Sequence, residues 1–259
     1  MPKFYYPCLF IAPGFDEDGL SYGSVALRKR RWEVSTFDLA TLATKHRLHL
    51  RYQLIDILLA HCNLEIELEA DNLEEACAEI DVLRAMLYVQ GTSPFVIPFC
   101  ATHSLNEYAG INSRDSEILR AKLPEDLQRG PTSSDIRVEV WPHEPSLTCR
   151  IEDESVVLRK EQWDSAAGAV SHWKKLEMET TVLRASRKAL CSAPAIPDIG
   201  SSLLHVWQGI ESLFPSVNME VSFRLSLLVA QLVSILEKAG ETYKKAKRSY
   251  ADRSRLSIH

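Results

Sequence analysis

The sequence predicts an α+β protein, a mixed α/β region over residues 1–152 followed by an all-helical region over 156–259. Three observations predict it. Leu64-Glu-Ile-Glu-Leu-Glu69 alternates apolar and acidic side chains with the period of two that a strand imposes. It runs at once into an apolar stripe of helical spacing and then into a second β-rich run, a strand–helix–strand block. From about Val156 onward, apolar residues recur every three or four positions, the spacing of a helix face.

Taken in order, Phe4–Ala12 is aromatic and apolar, is broken by Pro7 and stops at Pro13-Gly14, the pattern of an edge strand. Gly14-Phe-Asp-Glu-Asp-Gly19 is turn chemistry; its acids lack the ligand spacing of an EF-hand and read as a solvated loop. Leu48, Leu50, Tyr52 and Leu54 alternate with polar residues, a strand period that gives way to a continuously apolar run at Ile55. In Leu64–Glu69 one face is apolar and the other is glutamate, for which a solvated sheet face is the expected setting. Asp71-Asn-Leu-Glu74 then reads as a helix N-cap with a box glutamate three residues on. Leu73, Cys77, Ile80, Leu83 and Leu87 form one stripe, and Gly91 closes the helix. Ser93–Ala101 is β-rich. Between Ser113 and Asp135 the chain turns charged and small, a long connection holding one short helix. Ile136–Trp141 and Leu147–Ile151 read as strands around Pro142-His-Glu-Pro145, where His143 and Glu144 are a solvated turn pair.

The C-terminal region reads as helices throughout. Val157–Leu176 carries Trp163, Ala166, Val170 and Trp173 on one side, and Thr180–Ala193 carries Val182, Leu183, Leu190 and Cys191. Pro194, Pro197 and Gly200 break the chain, because proline cannot continue a helix, and Ser201 or Ser202 caps the next one. Leu203, Val206, Trp207, Ile210 and Phe214 step along its face. Val221, Leu225, Leu228, Leu232 and Ile235 make the seam of a packed helix over Glu220–Ala239, ended by Gly240, and the last helix starts there.

Bulk properties narrow the function. Hydrophobic content of 46% and charged content of 25% are those of an ordinary folded protein. A net charge of −5 argues against a chain coated in nucleic acid along its length, so a polyanion site has to be local. The dense basic run is Lys244, Lys245, Lys247 and Arg248. The six cysteines are scattered with no C-x-x-C pair, which predicts free thiols in a reducing compartment, no metal and no cofactor. No run approaches the roughly eighteen apolar residues of a membrane span, and the N-terminus lacks a signal-peptide core, so the expectation is a cytoplasmic protein with no membrane partner.

Three segments of the C-terminal third, in order, resemble HEPN domains and more narrowly their ApeA-like branch. Trp207-Gln-Gly-Ile-Glu211-Ser-Leu-Phe214 is similar to that branch's Ile-Glu-x-Leu-Phe segment. Glu220-Val-Ser-Phe-Arg224-Leu-Ser-Leu-Leu-Val-Ala230 resembles its acidic-hydrophobic-Arg-Leu helix start. Tyr250-x-x-Arg253-Ser254, a short apolar run and His259 resemble the R-x4–6-H signature. This chain carries one more residue between arginine and histidine than the nearest family pattern, and that pattern's following glycine would fall beyond His259.

The resemblance implies an all-helical HEPN-like bundle that forms a homodimer, and a metal-independent endoribonuclease used as a toxin or antiviral effector. It implies that His259 is the acid/base, Arg253 the phosphate clamp and Tyr250 the residue packed behind it, with the Lys244, Lys245, Lys247 and Arg248 cluster holding RNA phosphates. The chemistry suits the residues. Histidine exchanges protons near pH 6.5 or so, and arginine presents a fork to two phosphate oxygens without losing its charge. Six helical steps place Arg253 and His259 about 120° apart, whereas Arg255 and His259 share a face, so Arg255 is a further catalytic candidate. Glu211 and Arg224 form a candidate buried pair, catalytic or structural. A non-catalytic HEPN dimer that binds RNA or a protein is the alternative, and a third reading makes the N-terminal region a ligand sensor.

Overall fold

The computed structural model describes residues 1–47, 52–92, 97, 99–139, 156–214, 221–234 and 236–256, and the chain divides into two units, Met1–Val170 and Ser171–His259. The first unit is built on a six-stranded sheet with every pairing antiparallel. In chain order its strands are β1 (Lys3–Leu9), β3 (Gly19–Tyr22), β4 (Val25–Lys29), β5 (Cys62–Glu69), β6 (Cys100–Ala101) and β7 (Val138–Glu139), laid out β3-β4-β5-β1-β6-β7. Strand β1 is therefore interior, not the edge its proline suggests. Among the described residues its ladder with β6 is Tyr5 opposite Ala101, a pairing in which Pro7 takes no part.

The register between β1 and β5 slips after Cys8, and Phe10 takes the left-handed conformation with φ 63°. This bend sends the chain out of the sheet into β2 (Ile11–Gly14), which pairs in parallel with β8 (Val156–Arg159). The helical stretch expected from Val156 thus begins with a strand. A side chain at Gly14 would meet Val157 Cγ1 at 2.6 Å, so the close approach of the two strands requires glycine. Helix α1 (Thr36–Lys45) is capped by Ser35, whose side chain accepts from the Asp38 N–H. Helix α2 (Tyr52–His61) overturns the strand expected through Tyr52 and Leu54 and runs directly into β5.

Helix α3 (Leu73–Val89) follows the predicted stripe, with Ile80, Leu83 and Leu87 buried. Its cap is one residue later than expected. Asn72 accepts from the Glu75 N–H, and Glu75 reaches back to the Asp71 N–H. Gly91, at φ 85°, closes it as expected, with Gly91 N–H bonded to Tyr88 O and Thr92 N–H to Leu87 O. Tyr6 points from β1 toward this helix and reaches Cys77 Sγ. The apolar sheet face holds Phe4, Tyr6, Leu64, Ile66 and Leu68, all buried.

The connection after β6 is more ordered than the composition suggests. It holds a 3-10 turn (Leu105–Tyr108) and the single-turn helices α4 (Ile111–Arg114), α5 (Glu117–Arg120) and α6 (Glu125–Gln128). Arg114 organises it from inside, its guanidinium donating to the carbonyls of Glu107, Ala109, Leu127 and Pro131. The residues expected to form the strand over 147–151, and His143 and Glu144, lie outside the described residues, as does most of 93–98.

The division between the units falls inside helix α7 (Lys160–Glu179), later than the break expected at 152–156. Trp163, Ala166 and Val170 are buried and belong to the first unit. The second unit continues with α8 (Thr181–Ser192), α9 (Ile199–Ser212), α10 (Val221–Val233) and α11 (Ala239–Leu256). Helices α8 and α9 cross closely, because a Cβ on Gly209 would stand 2.5 Å from that of Ala189. The cap of α9 is Asp198, which accepts from the Ser201 N–H at 2.6 Å, and Ser201 and Ser202 lie inside the helix. Helix α10 stops at Val233, and Gly240 stands in the first turn of α11 instead of ending α10. Its buried face is Leu225, Ser226 and Ala230, whereas Leu232, expected in the seam, is 61% exposed. No helix among the described residues is long and apolar enough to cross a membrane.

Candidate functional site

The three segments singled out in the C-terminal third meet in one place. Trp207 of α9, Leu225 of α10 and Ala246 and Tyr250 of α11 are buried together, with Leu203, Ile210, Phe214 and Val229 packed around them. The Trp207 and Tyr250 rings meet edge to face at 5.0 Å, a favoured aromatic geometry. Trp207 Nε1 donates to Ser249 Oγ at 3.3 Å, and the Tyr250 hydroxyl donates to Glu211 Oε1 at 3.1 Å. Helix α11 forms where it does because Thr242, Ala246 and Tyr250 recur at intervals of four and are buried, leaving a polar remainder toward solvent.

That remainder holds the basic run. Lys244, Lys245, Lys247 and Arg248 are all exposed. Lys245 pairs with Glu237 at 3.2 Å, and Lys247 lies 5.8 Å over the Tyr243 ring. Tyr250, expected to pack behind Arg253 beside the substrate, is buried, and its hydroxyl donates to Glu211, so it positions α11 against α9. Of the candidate pair Glu211 and Arg224, Arg224 is exposed and Glu211 half-buried. Arg253 and Arg255 lie in the last turns of α11, which stays helical through Leu256, while their side chains and His259 fall outside the described residues.

The first unit holds charged groups that sequence reasoning set aside. Glu65 and Glu67, expected on a solvated face, are buried at 2% and 5% exposure. Glu67 accepts from Lys3 Nζ at 2.6 Å and from Arg28 Nε. Burial opposes its ionisation, but these two cations outweigh it and hold the carboxyl below the usual range. Glu65 accepts from Ser104 Oγ and, at 2.7 Å, from the Leu105 N–H. No cation among the described residues bonds it, so burial wins and its carboxyl is pushed up to about 7. Strand alternation reveals which residues share a face, but not whether another segment covers that face. The one available signal was Ser104-x-x-Glu107, a helix-start pattern that forms a full capping box in the turn lying against Glu65.

Among the described residues no three His, Cys, Asp or Glu side chains gather to hold a metal ion. Compared with protein-family models, curated proteins and solved structures, the chain matches none.

Proposed function

We propose that the second unit is a HEPN-like domain acting on RNA, a metal-independent endoribonuclease that works as a symmetric homodimer. The observation that carries this reading is the convergence of three sequence segments, recognised separately, on the Trp207–Leu225–Tyr250 cluster, with the Tyr250–Glu211 hydrogen bond tying the first to the third. The exposed cations of α11 supply a local polyanion surface on a chain whose net charge is −5.

In this mechanism His259 accepts the 2′-hydroxyl proton and, in its protonated form or through the partner chain's equivalent, donates to the leaving 5′-oxygen. The 2′-oxygen bonds to phosphorus as the bond to the 5′-oxygen breaks, giving a 2′,3′-cyclic phosphate and a 5′-hydroxyl. Arg253 and Arg255, in the last turns of α11, balance the charge that develops on the phosphate. Dimerisation is favoured by the apolar side chains α10 leaves exposed, Phe223, Leu227 and Leu232.

Site variants of the full chain test the reading. His259→Ala should abolish RNA cleavage measured in EDTA, and Arg253→Ala should slow it by roughly a hundredfold. If Arg255→Ala is the more damaging, the helix continues to His259 and Arg255 is the clamp. RNA that binds with strong salt dependence but is never cut would leave the non-catalytic module as the correct reading.

A further inference from the structure

The sheet of the first unit has two unlike faces. Opposite the apolar face, Lys3 and Tyr5 of β1 stand beside Glu65 and Glu67 of β5 and Arg28 of β4. Charged groups placed on a covered sheet face cost stability unless they are fully paired. This face is covered, since Ser104 and Leu105 bond to Glu65. Yet the covering segment leaves a cavity of about 750 Å³, lined by both the sheet and the turns near Glu107 and Arg129. That is the size of a small-molecule site.

Most cations around it are committed. Arg31 pairs with Asp18 at 2.5 Å, Lys29 donates to Phe15 O, and Arg114 is spent on four carbonyls. Arg28 and Arg129 are different. Arg28 uses only Nε on Glu67, which leaves both Nη groups without a bond to any described residue. Arg129 is exposed and its side chain bonds to no described residue. Two arginines at one cavity whose Nη donors bond to no described residue suit a phosphate group. Glu107, one of whose oxygens accepts from the Ser104 N–H, and Asp126 line the same cavity and bring carboxylate oxygens for hydroxyl or amino groups, and the aromatic Trp32 lines it as well. An inorganic anion has no use for those acceptors. A ligand with a phosphate at one end and a flat, donor-bearing group at the other uses all of them.

We propose that this cavity binds a phosphorylated small molecule of mononucleotide type, its phosphate on Arg28 and Arg129 and its ring against Trp32. Burial and the carboxylate of Glu67 hold the Tyr5 phenol protonated, so its hydroxyl is a further donor beside the phosphate. The inference is independent of RNA cleavage by the second unit.

Calorimetric titration of the full chain with 5′-AMP, 5′-GMP, 5′-CMP and 5′-UMP, with the four nucleosides and with inorganic phosphate tests it. At least one mononucleotide should bind about tenfold or more tighter than its nucleoside and than phosphate. Arg129→Gln, which breaks no hydrogen bond or ion pair to a described residue, should weaken that binding by about tenfold with the melting temperature unchanged. Arg28→Gln should do the same, with its fold checked by circular dichroism. The proposal is overturned if no mononucleotide binds at millimolar concentration, if phosphate alone binds equally well, or if Arg129→Gln leaves the affinity unchanged. It is equally overturned if substitutions of Lys244 and Lys245, rather than of Arg129, remove the binding, since the nucleotide would then sit on α11.

Discussion

Each unit buries a glutamate against arginine, and the two arrangements differ in what surrounds the cation. In the second unit Glu177 accepts from Arg187 at 2.5 Å and from Trp173 Nε1 at 2.6 Å, and the Glu177 and Arg187 side chains are both only 5% exposed. Burial opposes ionisation of Glu177, but Arg187 and Trp173 outweigh it and hold the carboxyl low. In the first unit Glu67 is as deeply buried, but its partners Lys3 and Arg28 are 43% and 45% exposed. The sealed pair spends its donors on itself and ties α7 to α8. The half-open pair keeps one end in a cavity and has donors to spare. The first is architecture; the second is where a ligand site is expected.

Removing a cation from each pair is the strongest way to break this comparison. Arg187→Ala strands Glu177 in the interior and should cost about 3–5 kcal/mol in urea unfolding. Arg28→Ala should cost about 1–2 kcal/mol, because Lys3 remains and solvent reaches the vacated side. Equal losses would show that both pairs are sealed and that Arg28 has nothing to offer a ligand.

Glu65 sharpens the contrast between carboxylates with and without a cation. Its carboxyl titrates at about 7 in the fold and at about 4.5 in the unfolded chain. The favourable contribution of its protonated form is complete below about pH 4.5 and is lost as pH rises through 7. Glu65→Gln should therefore gain roughly 2–3 kcal/mol on the wild type between pH 4.5 and pH 8. A wild-type-to-variant difference that does not change with pH would mean that Ser104 and Leu105 already hold the ionised form. A smaller effect is expected in the second unit, where Tyr250→Phe removes one partly buried hydrogen bond to Glu211. It should cost about 1 kcal/mol while the Trp207 edge-to-face contact persists.

The sequence makes local features readable and leaves distant coverage hidden. Helix α3, its apolar stripe and its Gly91 stop follow from periodicity and from one residue's freedom at positive φ. The α+β arrangement follows from where the period changes. Val156–Arg159 was not legible as a strand, because it owes its form to β2, nearly 150 residues earlier in the chain. The burial of Glu65 was hidden for the same reason: its hydrogen-bond partners Ser104 and Leu105 come from another segment, beyond the reach of strand alternation. Asp198 competes with Ser201 and Ser202 for one cap, and the aspartate wins because it stands before the first turn. In the candidate RNA site the exposed face of α11 and the Trp207 packing were legible. The hydrogen bond from Tyr250 to Glu211 was not, since its acceptor stands on another helix, 39 residues earlier in the chain.

The central claim is that the second unit cuts RNA without a metal. Its most direct test is incubation of the full chain with end-labelled RNA in EDTA, with the product ends identified by mass spectrometry. The account predicts fragments ending in 2′,3′-cyclic phosphate and 5′-hydroxyl, absent from a parallel His259→Ala reaction. Intact RNA, fragments with 5′-phosphate ends, or equal cleavage by the His259→Ala protein would contradict it.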